Sequence, residues 1–98
     1  MQYAYEDDGL HRIYTGEDGD GGYDPGVVKA FRKRIQVIKN GRDERDIRVC
    51  KGNHYEKLEP PRDHQHSMRL NKQWRLILEW RGEGEDRVLW VIGIEDYH

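Results

Sequence analysis

The sequence predicts an α+β domain of order β-α-α-β-β-β, in which two helices pack on one face of a curved, largely antiparallel sheet. Three observations carry this. Apolar residues recur at helical spacing in the first half of the chain. They alternate at period two in the second half, and glycine or asparagine turn signals separate the segments. The 98 residues leave room for one domain, 1–98, with one core. Charged residues (37%) outnumber hydrophobic ones (35%), so that core has to be small and well patterned.

Gln2 to Tyr5 alternates, with Tyr3 and Tyr5 on one side, as in a short strand. Asp7 and Asp8 stand where a helix N-terminus favours acids, Leu10, Ile13 and Tyr14 follow at i, i+3 and i+4, and Gly16 ends the helix. Glu17 to Gly22 (EDGDGG) reads as an acidic loop. A calcium loop would need an acid where Lys29 stands, twelfth from Asp18. Asp24-Pro25 then opens a second helix as side-chain cap and first-turn proline. Val27, Phe31, Ile35 and Ile38 form its apolar stripe, and Asn40-Gly41 ends it with a left-handed cap. Residues 43–48 carry a weak signal for one more helical turn.

Strands follow. Gln65 to Asn71 alternates with Met68 and Leu70 inward, and Asn71-Lys72 serves as a tight hairpin connection. Gln73 to Trp80 places Trp74, Leu76, Leu78 and Trp80 on one face, with Arg75, Ile77 and Glu79 on the other. After the loop Gly82 to Asp86, Val88 to Ile94 is almost continuously apolar, as in a central strand covered on both faces.

Composition narrows the function. No apolar run approaches the roughly 20 residues of a membrane span, and the acidic N-terminus lacks a signal-peptide pattern. Cys50 is the single cysteine, for which a structural role is expected. A cytoplasmic domain with no membrane partner is therefore expected. The net charge of −2 hides a segregation: residues 1–28 hold seven acids against Arg12, whereas 29–48 are rich in lysine and arginine. Such a basic block, with Arg32 and Lys33 at its heart, can meet RNA phosphates or simply be a solvated helix face.

Phosphate-loop, nucleophile-elbow and HExxH motifs are missing. Basic and imidazole groups instead concentrate around the hairpin: His54, Lys57, Arg62, His64, His66, Arg69 and Arg75. Alternation lets Arg69 and Arg75 share one sheet face as a phosphate cradle, since a guanidinium fork binds two phosphate oxygens and stays charged. Arg75 pairing with Glu79 is the plain alternative. His64-x-His66 has metal-ligand spacing but no obvious third ligand, so no metal is expected. The three tryptophans read as core or sheet-face aromatics. At the end of the chain Asp96 or His98 can transfer protons in cleavage by an RNA 2′-hydroxyl, or form a polar tail.

These residues together resemble the HigB-like branch of the RelE toxin superfamily, ribosome-dependent mRNA endonucleases of bacterial type II toxin–antitoxin systems. Gly52-Asn53, Leu58, Arg62, Gln65, Ser67-Met68-Arg69-Leu70-Asn71 and Gln73-Trp74-Arg75 match its central pattern, and Asp96-Tyr97-His98 its closing one. The resemblance implies a RelE-like fold and metal-independent cleavage of mRNA in the ribosomal A site, with no cofactor. Catalytic roles would fall on Arg75, Asp96, Tyr97 and His98. Arg62 and Arg69 are further candidate phosphate ligands, and Lys57, His64 or His66 would stand in on the RNA for a family lysine that is Glu59 here. Its expected partners are a HigA-like helix-turn-helix antitoxin, the ribosome and mRNA, with operator DNA reached only through the antitoxin. One departure is Leu58-Glu59-Pro60-Pro61-Arg62, where many relatives carry Leu-Lys-Gly-Asp-Arg. It motivates a second reading, a catalytically weakened toxin homologue acting as an antitoxin-binding co-repressor module.

Overall fold

The computed structural model describes every residue except Asp18, Tyr97 and His98. In chain order the elements are β1 (Gln2–Tyr5), α1 (Asp8–Thr15), α2 (Pro25–Asn40), α3 (Glu44–Arg48), β2 (Glu56–Lys57), β3 (Gln65–Arg69), β4 (Trp74–Arg81) and β5 (Val88–Asp96). The sheet order is β1-β5-β4-β3-β2. Among the described residues only the β1–β5 pair is parallel, and the other three pairs are antiparallel. The predicted class holds. Two short elements extend it: the weakly signalled turn is a third helix, and β2 pairs with the outer edge of β3. Two residues are too few to show a period, which is why β2 left no trace in the sequence pattern.

Local signals account for most boundaries. The Asp7 side chain caps α1 through Gly9 N (2.8 Å), and Gly16 closes it at φ 84°, a left-handed conformation suited to glycine. Asp43 caps α3 in the same way through Arg45 N at 2.9 Å. Three expectations are corrected. Asp24 occupies the cap position of α2 but makes no side-chain cap; its carbonyl accepts from Val27 and Val28 instead. Gly41 is extended (φ −74°), not left-handed, because the chain turns directly into α3. The β3–β4 connection is longer than the two residues expected. It spans 70–73, and the Asn71 side chain accepts from Gln73 N (2.8 Å) and Trp74 N (2.7 Å).

The core lies between the helices and one sheet face. Val27, Phe31, Ile35 and Ile38 of α2 and Ile47 of α3 are fully buried against Met68, Leu76, Leu78, Leu89 and Val91. Each such side chain stabilises the fold by roughly 1.5–3 kcal/mol at most. Two arginines tie α2 to its neighbours. Arg32 donates to the carbonyls of Ile13 (3.1 and 3.0 Å) and Gly19 (3.2 Å), while Arg34 reaches those of Arg69 (3.1 Å) and Gly52 (2.8 Å).

Strict alternation fails within β5. Leu78 pairs with Val91 but Ile77 pairs with Gly93, which leaves Ile92 as an extra residue in β5. Leu89 and Val91 face the helices on one side of this bulge, and Ile94 does so on the other. Cys50 is exposed, so the structural role expected for it is not met.

Candidate active site

The helix-free face of the sheet carries a row of charge at one end. Arg69 of β3 pairs with Arg75 of β4, and Arg75 pairs with Glu95 of β5. Cross-strand partners share a face, so the three side chains stand side by side, opposite to Met68 and Leu76 in the core. Two facing arginines repel one another, and the neighbouring Glu95 offsets that charge. The alternative pairing of Arg75 with Glu79 is not what Glu79 does: it accepts from Arg81 Nε (2.6 Å) and Gln65 Nε2 (3.2 Å), with His64 Nε2 at 3.6 Å. The Arg81 hydrogen bond is the main cause holding the Glu79 carboxyl below its usual range, against the opposing effect of burial.

Arg62, in the loop before β3, reaches across β4 to the same row. Its Nη1 and Nη2 donate to the two carboxylate oxygens of Glu95 at 2.9 and 2.8 Å. Its Nε and Nη2 donate to Gln65 Oε1 at 3.0 and 2.9 Å. The bond to Glu95 raises the guanidinium pKa further, so the charge is permanent at any working pH.

Asp96 follows the other parity. It pairs with Trp74, which packs against the core and meets Tyr23 edge-on at 5.6 Å, so Asp96 lies on the helix side of the sheet. Gln73 Nε2 donates to its Oδ2 at 3.0 Å. The structure therefore brings Arg62, Arg69, Arg75 and Asp96 to one end of the sheet, but puts Asp96 and Arg75 on opposite faces. Tyr97 and His98 lie outside the described residues.

The model of the HigB-like toxins, RelE-like toxins of type II toxin–antitoxin systems, matches residues 3–98. The chain belongs to this family. The toxin is 30% identical to Toxin HigB-1 of Vibrio cholerae over 80 residues, 82% of this chain and 75% of that one. An uncharacterized protein of Haemophilus influenzae matches at 30% over 76 residues, 78% and 75% of the two chains. Among solved structures, the YoeB/ParE toxin from Agrobacterium tumefaciens superposes over 100% of both chains with a TM-score of 0.59. At 15% identity that likeness speaks for the fold alone. Membership of a type II system implies an antitoxin partner for the toxin.

The remaining predicted residues are dispersed over the toxin. Lys57 is exposed on edge strand β2, and His64 lies beside Glu79. Lys33 lies exposed on α2, where with Lys29, Arg32 and Gln36 it lines a groove of about 540 Å³ floored by Val28 and Pro25. No helix among the described residues is long and apolar enough to cross a membrane.

His66 turns inward. Its ring stacks on Tyr55 (4.7 Å, 2°), and its Nε2 stands 3.9 Å from Glu44. Glu44 also accepts from the Tyr55 hydroxyl (2.8 Å), Arg48 (3.1 Å) and Arg87 (3.2 Å), and Trp80 Nε1 donates to the same hydroxyl at 2.9 Å. Burial is the main cause pushing His66 below its ordinary value of 6.5. Glu44 opposes it, while the charges of Arg48, Lys57 and Arg87 assist. The unfolded chain then binds the proton more readily than the folded one, so stability falls as pH drops through 6.5 towards the folded value. In urea unfolding, His66→Gln is expected to flatten that part of the pH profile. An unchanged slope in the variant would assign it to other groups.

Sequence reasoning passed over Gln73, Glu95 and Glu44 as functional or organising residues. Gln73 was visible as a motif position and Glu95 as the neighbour of the terminal motif. Glu44 carried no signal, because its partners lie 4, 11, 22 and 43 positions away.

Proposed function

We propose that the toxin is a ribosome-dependent mRNA endonuclease that directs the RNA 2′-hydroxyl onto the adjacent phosphate. The observation that carries this reading is the Arg69–Arg75 pair on one sheet face, beside the strand that leads into the family's terminal motif. Cleavage by an internal hydroxyl needs charge stabilisation on the phosphate and proton transfer to and from oxygen. In this reading Arg75 takes the developing charge and Arg69 an adjoining phosphate. Tyr97 and His98 supply proton transfer, with His98 as the proton carrier, while Asp96, on the face opposite Arg75, anchors the strand end through Gln73. Lys57 and His64 are exposed and suit contacts along the RNA backbone. The antitoxin is of the HigA-like helix-turn-helix class and brings the complex to operator DNA.

Induced expression with mapping of mRNA 5′ ends tests the reading. Growth arrest with cuts inside translated messages is the expected result. Normal growth with intact antitoxin binding would overturn it in favour of a binding module.

The ribosome is assigned to the exposed lysines of α2. Arg32 is a poor probe of this surface, since its guanidinium holds the end of α1. Lys29→Glu with Lys33→Glu should instead weaken ribosome association and lower the slope of log affinity against log salt by about 1 for each phosphate no longer neutralised. Unchanged pelleting with ribosomes would make this a solvated face.

A further inference from the structure

We propose that Arg62 and Glu95 form a positioning clamp, whose work is to hold the end of β5 and thereby the terminal residues that follow it, rather than to bind RNA phosphate. The inference rests on the nuclease reading above and assigns a role within it.

The geometry argues against Arg62 as a phosphate ligand. Its guanidinium already makes four hydrogen bonds inside the protein, two to Glu95 and two to Gln65. The edge of the guanidinium that would grip two phosphate oxygens grips two carboxylate oxygens of Glu95 instead. Gln65 is itself fixed, since its Nε2 donates to Glu79 at 3.2 Å. Glu79 is held in turn by Arg81, whose Nη1 lies 2.9 Å from Glu6. The polar chain therefore runs across the sheet from the segment after β1 to the end of β5. An isolated exposed ion pair adds little to stability, but a bidentate pair within a network restricts geometry.

The position of Glu95 gives the clamp its purpose. Arg62 holds Glu95 from the helix-free face, and Gln73 holds the next residue, Asp96, from the other face. The backbone that leads into Tyr97 and His98 is thus gripped on both sides. It stays in register with β4, where Arg75 lies directly opposite Glu95. Proton transfer demands such placement, because a displacement of about 1 Å in a reacting group can cost on the order of 10²-fold in rate.

The test is a double-mutant cycle on the toxin. Arg62→Ala and Glu95→Ala are each expected to lower kcat for cleavage of ribosome-bound mRNA by about 10–100-fold with KM little changed. The double variant should lose little more than either single one, because both remove the same pair. Backbone amides of residues 94–96 should exchange faster in each single variant and no faster in the double. Thermal melting controls for folding. A raised, salt-dependent KM in Arg62→Ala alone, with parental cleavage in Glu95→Ala, would make Arg62 an RNA ligand and overturn the clamp. Parental cleavage and parental exchange in Glu95→Ala would overturn it as well. Should the parental toxin cut no RNA at all, the nuclease reading fails, while the exchange measurement still decides whether the pair holds β5.

Discussion

Arg75→Ala is expected to leave a folded toxin that cuts translated mRNA about 10²–10³-fold more slowly, the loss typical of removing one preorganised stabiliser of transition-state charge. The physical basis is its place in the ladder between Arg69 and Glu95, where β4 holds it rigidly on the helix-free face. Truncation leaves the apolar core intact, because the inward residues on either side are Trp74 and Leu76. It also relieves the repulsion with Arg69, so thermal melting should change far less than the rate. Arg75→Lys should recover only part of the activity, since an ammonium cannot make the paired hydrogen bonds of a guanidinium fork. The measurement is the single-turnover rate on programmed ribosomes, with melting of each variant alongside. A folded Arg75→Ala toxin that cuts at the parental rate would remove Arg75 from the reaction.

Deletion of His98 is the second large effect. Truncating a chain end is ordinarily tolerated, because little packing depends on it. Here the preceding residues are anchored, Glu95 by Arg62 at 2.8 Å and Asp96 by Gln73 at 3.0 Å, which is the support a terminal proton carrier requires. General acid–base groups contribute about 10²–10⁴ in rate, enough to separate a lethal protein from a tolerated one. Colony survival on induction is expected to be restored, with melting of the purified variant little changed. Full toxicity after deletion would move proton transfer to another imidazole. His64 would then be the first candidate, since it is exposed, whereas His66 is stacked in the interior.

The class of the fold, helices α1 and α2, the hairpin strands and the family are legible from one sequence. Those features are written in local patterns: the stripe from Val27 to Ile38, the alternation from Trp74 to Trp80, and ordered motif residues from Gly52 to Arg75. Neighbouring residues decide them, so one sequence carries the information. Which groups meet depends on packing between distant segments. Arg62 reads as a phosphate ligand in sequence and proves to be paired with a carboxylate 33 positions away. His66 reads as an RNA contact in sequence, but β3 turns it inward onto Tyr55. The parity of β5 is the clearest case. Unbroken alternation from Leu89 would turn residue 95 towards the helices and Asp96 towards Arg75. The extra residue at Ile92 reverses this, placing Glu95 beside Arg75 and Asp96 on the helix side. A bulge depends on how two distant strands pair, and a run as uniformly apolar as Val88 to Ile94 carries no alternation from which to read it.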